Sequence, residues 1–203
     1  MQKKKGFTLI ELLIVIAILV ILAVVVILTL NPAQLLAQAR DSQRMSDMST
    51  LKSAISLYLA DVATSSPNCG MGNSYTAYIS AASVTATSVV LARYPISSSS
   101  ITTIVTTSTP KNINGSGWIP INFTLISSGA PIGSEPIDPV NTLSNNTSTS
   151  YFYAFAISPS STCAFQLSAH MESQRYQYGG GPNSVEGNGN YLYDYQTGTA
   201  GGM

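Results

Sequence analysis

The hydrophobic pattern of the chain changes character twice. From Phe7 to Leu30 every position is apolar except Thr8, Glu11 and Thr29, and Glu11 is the one charge. As a helix this run is about 36 Å long, more than the ~30 Å hydrocarbon core of a bilayer. After Asn31-Pro32 the pattern turns amphipathic. Met48, Leu51, Ile55, Tyr58 and Val62 recur at helical spacing and form one apolar stripe. Arg40, Asp41, Arg44, Asp47, Lys52 and Asp61 read as the polar side, with Arg44 and Asp47 three apart and able to pair. The pattern predicts a helix nearly continuous to about Ala63, ended by Thr64-Ser65-Ser66-Pro67. Pro32 lacks an amide donor and crowds the carbonyl of Leu28, so a kink or a melted turn is expected near residues 28–32.

Beyond the helix the pattern is β and loop. Ser83 to Leu91, Ile101 to Thr107, Trp118 to Ile126, Tyr151 to Ile157 and Cys163 to Ala169 are strand-like runs between Ser, Asn, Gly and Pro clusters. "YFYAFAI" alternates large side chains with alanine and "CAFQL" follows closely, so these two are expected to form a hairpin. The Gly- and Asn-rich C-terminal segment, with Tyr191, Tyr193 and Tyr195, reads as a loop carrying a late edge strand or as a tail. The fold class expected is α+β: a long N-terminal α-helix whose outer half packs on an antiparallel sheet.

Composition adds a location. Only 9% of the residues are charged, against the usual quarter, and the formal net charge is zero, so no global field points to nucleic acid. Lys3, Lys4 and Lys5 precede the apolar run, and no Lys or Arg lies between Asn31 and Ala39. The positive-inside rule then places the N-terminus in the cytoplasm and the rest outside. The competing reading is a secretory signal peptide, for which Ala37-Gln38-Ala39 offers a small-residue cleavage pattern. An h-region is normally about 7 to 15 residues, shorter than this run. Two cysteines, Cys69 and Cys163, suit one disulfide in an exported chain, or else two buried thiols. A bridge closing so long a loop contributes roughly 4 to 5 kcal/mol at most.

Lys5-Gly6-Phe7-Thr8-Leu9-Ile10-Glu11 followed by a long apolar helix resembles the type IV pilins and the pseudopilins of type II secretion. The resemblance covers residues 3 to about 30. It implies leader cleavage between Gly6 and Phe7 by a membrane-embedded prepilin peptidase, and N-methylation of Phe7. It also implies that Glu11 pairs with the amine of an adjacent copy during filament assembly. The expected organisation is a leader (1–6), a transmembrane and assembly helix (7–30), an amphipathic half (31–63) and a β-rich extracytoplasmic head (64–203). One departure stands out: many members carry a helix-breaking proline where this chain has Leu28, and here the proline is Pro32.

Enzymatic chemistry finds little support. His170 is the one histidine, expected to face solvent or cap an element, and no motif sets a nucleophile or acid beside it. Two cysteines and one histidine make no zinc pattern, and there is no phosphate-cradling loop. "GSEPIDPVN" places Glu135, Asp138 and Asn141 in an oxygen-rich loop. It resembles the Asp-Pro loop of major pseudopilins, which in some members binds calcium; the alternative is a pair of proline turns capped by Asp138 and Asn141. No other cofactor is expected. The expected role is a non-enzymatic filament subunit, anchored in the cytoplasmic membrane before assembly and on the cell surface after it. Its expected partners are further copies of the chain, the peptidase/N-methyltransferase, inner-membrane assembly machinery and the lipid bilayer. The alternatives are a secretion pseudopilin and a monomeric membrane-anchored adhesin.

Overall fold

A computed structural model describes residues 6–62, 67–71, 76–81, 103–144, 149–157, 163–177 and 194–198. The expected strand at Ser83 to Leu91, the leader lysines, and Tyr191 and Tyr193 lie outside the described residues.

The first helix, α1 (Leu9–Leu30), is apolar but for Glu11 and Thr29, and its stretch Leu9–Ile27 is long and apolar enough to cross a membrane, with none of it buried among the described residues. A helix apolar all round needs lipid or protein about it. The second, α2 (Pro32–Asp61), begins one residue later. The break expected near residues 28–32 falls at Asn31, in a helix otherwise continuous to Asp61. Asn31 leaves the helix altogether, with φ 40° and ψ 74° in the left-handed region. A residue before proline is disfavoured in the helical region, and asparagine tolerates the left-handed one. Asn31 therefore closes α1 and opens α2, its Oδ1 accepting from Gln34 N at 3.4 Å. Pro32 sits at the first helical position, where its missing amide hydrogen costs nothing.

The sheet has five strands in the order β2-β1-β3-β4-β5: β1 (Thr76–Ile79), β2 (Thr103–Val105), β3 (Tyr153–Ile157), β4 (Phe165–His170) and β5 (Asp194–Gly198). The β3–β4 hairpin forms as the alternation predicts, with Phe155 opposite Leu167, and β5 is the late edge strand, with Tyr195 opposite Ala169. The sheet is not wholly antiparallel: β2 runs parallel to β1. Residues 80–102 separate these two strands, far more than a hairpin turn holds. The central strand β1 escaped the sequence reading, being only four residues, "TAYI".

Both faces of the sheet are buried along β1, β3 and β4, while the edge strand β2 is largely exposed. Tyr153, Phe155 and Ile157 of β3 point to α2 and join Met48, Leu51 and Ile55 in the main core, while Ala154 and Ala156 join Ala77, Ile79 and Phe152 on the other face. Each large side chain so buried contributes about 1.5–3 kcal/mol. The stripe on α2 holds as expected, with Val62 partly buried at its end. Trp118 to Ile126, expected as a strand, is irregular with a 3₁₀ turn at Phe123–Leu125. Pro120 interrupts it, and its buried residues Trp118, Ile119, Ile121, Phe123 and Ile126 do not keep a period of two.

Candidate functional site

At the N-terminal end, Gly6, Phe7 and Thr8 precede the first helical turn, and Phe7 is 87% exposed. Thr8 is extended, at φ −84° and ψ 152°, and is the N-cap of α1. The bond between Gly6 and Phe7 thus lies outside the helix, between two exposed residues. Glu11 is the third helical residue and closes a capping box. Its Oε2 accepts from Thr8 N at 2.8 Å and from Thr8 Oγ1 at 2.8 Å, while Thr8 Oγ1 accepts from Glu11 N at 3.3 Å. Thr-x-x-Glu is the sequence signature of such a box, a signal that the sequence reading passed over. Phe7 lies one residue before the cap.

The second constellation lies in the head and was missed. Asp41 and Arg44, read as solvent-facing, are both completely buried. They continue the apolar stripe toward its N-terminal end, in the series Ala37, Asp41, Arg44, Met48, Leu51. The expected Arg44–Asp47 pair is absent. Arg44 instead donates from Nη1 to Asp41 at 2.8 Å and forks onto Asp138, Nε to Oδ2 at 2.7 Å and Nη2 to Oδ1 at 3.0 Å. Its guanidinium also lies 5.0 Å from the centre of the Tyr151 ring. Burial works against the charge, but the hydrogen bonds and fields of Asp138 and Asp41 outweigh it and raise the pKa of Arg44 further.

Asp41 accepts from Glu172 N at 2.8 Å and Ser173 N at 2.7 Å, strapping the segment after β4 onto α2. Arg40 forks onto Glu172, with Nε to Oε2 at 2.7 Å, and its hydrogen bond holds that carboxyl below the usual range. Asp47 takes the hydroxyl of Tyr153 at 2.7 Å; burial raises the pKa of both groups. His170, expected at the surface, is buried and stacked on Tyr151 at 5.3 Å, because β4 carries it onto a covered sheet face.

The oxygen-rich loop does not act as one donor set. Asp138 is taken by Arg44, and its Oδ1 also accepts from Val140 N at 2.8 Å and Asn141 N at 3.2 Å, which is the capped turn. Asn141 is held against Ser80, Oδ1 accepting from Ser80 Oγ at 2.8 Å. Glu135 is buried and turns to another loop, Oε2 accepting from Ile119 N at 2.9 Å. A Cβ on Gly117 would strike Asn112 O and the Glu135 carboxyl, so only glycine admits this contact. Among the described residues, no three His, Cys, Asp or Glu side chains are grouped to hold a metal. Burial pushes the Glu135 carboxyl up to about 8, against the opposing pull of the Ile119 and Trp118 amides. Cys69 and Cys163 are joined, with Cα atoms 5.4 Å apart, linking the segment after α2 to the start of β4.

Residues 1–27 match the family model of the prokaryotic N-terminal methylation motif, the class III signal of type IV pilins and pseudopilins. No curated protein and no solved structure matches the chain. An apolar N-terminal helix, a second helix and a mixed sheet form an α+β arrangement consistent with a pilin-like fold.

Proposed function

We propose that the chain is a structural subunit that polymerises, after loss of residues 1–6 and methylation of Phe7, into a type IV pilus-like filament. The observation that carries this reading is the junction of the methylation motif with α1. The helix is apolar on every side, none of Leu9–Ile27 is buried by its own head, and its single charge sits in the first turn. A bilayer suits the apolar surface before assembly, and helices of other copies suit it afterwards. Glu11 then takes the Phe7 amine of a neighbouring copy. Within the mature chain no basic side chain precedes Arg40, so that amine is the cation within reach. The pair acts on axial register, rejecting neighbours that leave the glutamate unmatched. The charge cluster of the head keeps α2 and the sheet in one orientation, so that assembly through α1 displays each head alike.

Mass spectrometry of the mature N-terminus and electron microscopy of sheared fractions test the proposal together. The expected result is an N-methylated Phe7 and filaments that are lost with Glu11→Gln and weakened by Glu11→Asp. Both variants should leave the membrane-bound subunit at its normal level. Normal filaments from Glu11→Gln would remove the charge from the account of assembly.

A further inference from the structure

We infer that Thr8 is the positioning residue of Glu11: it holds one carboxylate oxygen within the chain and leaves the other presented to an incoming cation. The inference rests on the assembly role proposed above and adds a residue to it.

The geometry is asymmetric. Both donations from Thr8, amide and hydroxyl, go to Oε2 at 2.8 Å each. Oε1 accepts none of the hydrogen bonds found among the described residues. A glutamate on an exposed helix end ordinarily samples many rotamers, and fixing one at the moment of binding weakens any contact it makes. Here the fixing is done beforehand, inside the subunit. The hydroxyl of Thr8 also accepts from Glu11 N at 3.3 Å, so backbone and side chain of Glu11 are held by the same residue. Leader removal ahead of Phe7 leaves Thr8 as the second residue, so the box lies within the mature chain. The subunit thereby carries its carboxylate through the bilayer partly satisfied, and offers one lone-pair face to the ammonium of a neighbour.

The test uses the full chain in cells, with Thr8→Val, Thr8→Ser and Glu11→Gln in parallel. Valine keeps the shape and removes the hydroxyl; serine keeps the hydroxyl. Filament yield is measured per mature membrane subunit, with the Phe7 N-terminus verified by mass. The expected result is a several-fold fall for Thr8→Val, recovery for Thr8→Ser, and membrane levels unchanged in all three. Full yield from Thr8→Val alongside a loss in Glu11→Gln overturns the positioning role and leaves the assembly role standing. Equal falls in Thr8→Val and Thr8→Ser overturn it too, since the hydroxyl is then not the cause. Full yield from both Thr8→Val and Glu11→Gln removes the assembly role and this inference with it.

Discussion

Arg44 and Asp138, 94 positions apart, meet through two parallel hydrogen bonds with both side chains fully buried. A buried pair of this kind adds little over a well-packed apolar pair, but breaking it leaves a stranded charge. Arg44→Met strands Asp138 and Asp41 together and should lower stability by about 3–5 kcal/mol. Arg44→Lys restores the charge as a point and cannot reproduce the fork, so it should recover only part of the loss. Thermal unfolding of the detergent-solubilised chain measures both. The double variant Arg44→Met with Asp138→Asn should lose clearly less than the sum of the singles. Additive losses would show that the two residues are not energetically joined.

Glu135 makes the stability of the head depend on pH. Its folded pKa is raised from the ordinary 4.5 to about 8. The folded state therefore keeps a proton that the unfolded chain releases. Below about 4.5 the group is neutral in both states and has no effect. As pH rises from 4.5 toward 8, stability falls by up to about 1.4 kcal/mol per pH unit, then levels off once the folded carboxyl also ionises. Glu135→Gln keeps an acceptor for Ile119 N and has no proton to lose. The melting temperature of this variant should decline less than that of the native chain between pH 5 and about 8. Parallel curves would place the pH dependence elsewhere.

The parts legible in the sequence were those whose signal is local. Met48, Leu51, Ile55 and Tyr58 mark the buried face of α2 by spacing alone, and Tyr153, Phe155 and Ile157 alternate with alanines as a strand covered on both faces must. The charge cluster was not legible. Asp41 and Arg44 occupy stripe positions, but their charges read as surface, and the partners that make burial tolerable lie 94 and 131 residues away. Trp118 to Ile126 misled for the opposite reason: its apolar residues serve the core from an irregular segment pinned by a Trp118 Nε1 bond to Pro136 O at 2.8 Å. At Pro32 the place of the break was legible from the proline, but not its form: the residue that leaves the helix is Asn31, and Pro32 itself opens α2.

Cys69 and Cys163 are 94 positions apart and join two otherwise distant parts of the head. Closing so long a loop restricts the unfolded chain, by roughly 4 to 5 kcal/mol at most. Protein isolated without reductant should show no free thiol on non-reducing mass analysis. The Cys69→Ser with Cys163→Ser variant should fold and melt several degrees lower. Two free thiols in the native protein would remove the bridge from this account.

Gly6 offers the clearest separation between what the chain needs and what its processing needs. A Cβ placed on Gly6 meets nothing within 4 Å, and Gly6 lies outside the helix, two residues before the cap. No φ in the left-handed region is imposed there, so neither backbone strain nor crowding calls for glycine within the subunit. Any requirement must come from a surface that approaches the chain from outside, such as a peptidase acting, as proposed above, on the bond ahead of Phe7. Gly6→Val should therefore leave the capping box, membrane insertion and head stability unchanged, while the lysine leader remains attached. Gly6→Ala, one methyl group, should be cleaved with intermediate efficiency. The intact mass of the membrane-bound subunit reads the outcome directly. If Gly6→Val is trimmed to Phe7 as fully as the native chain, cleavage is not selected by the small residue, and the assignment of this bond loses its physical basis.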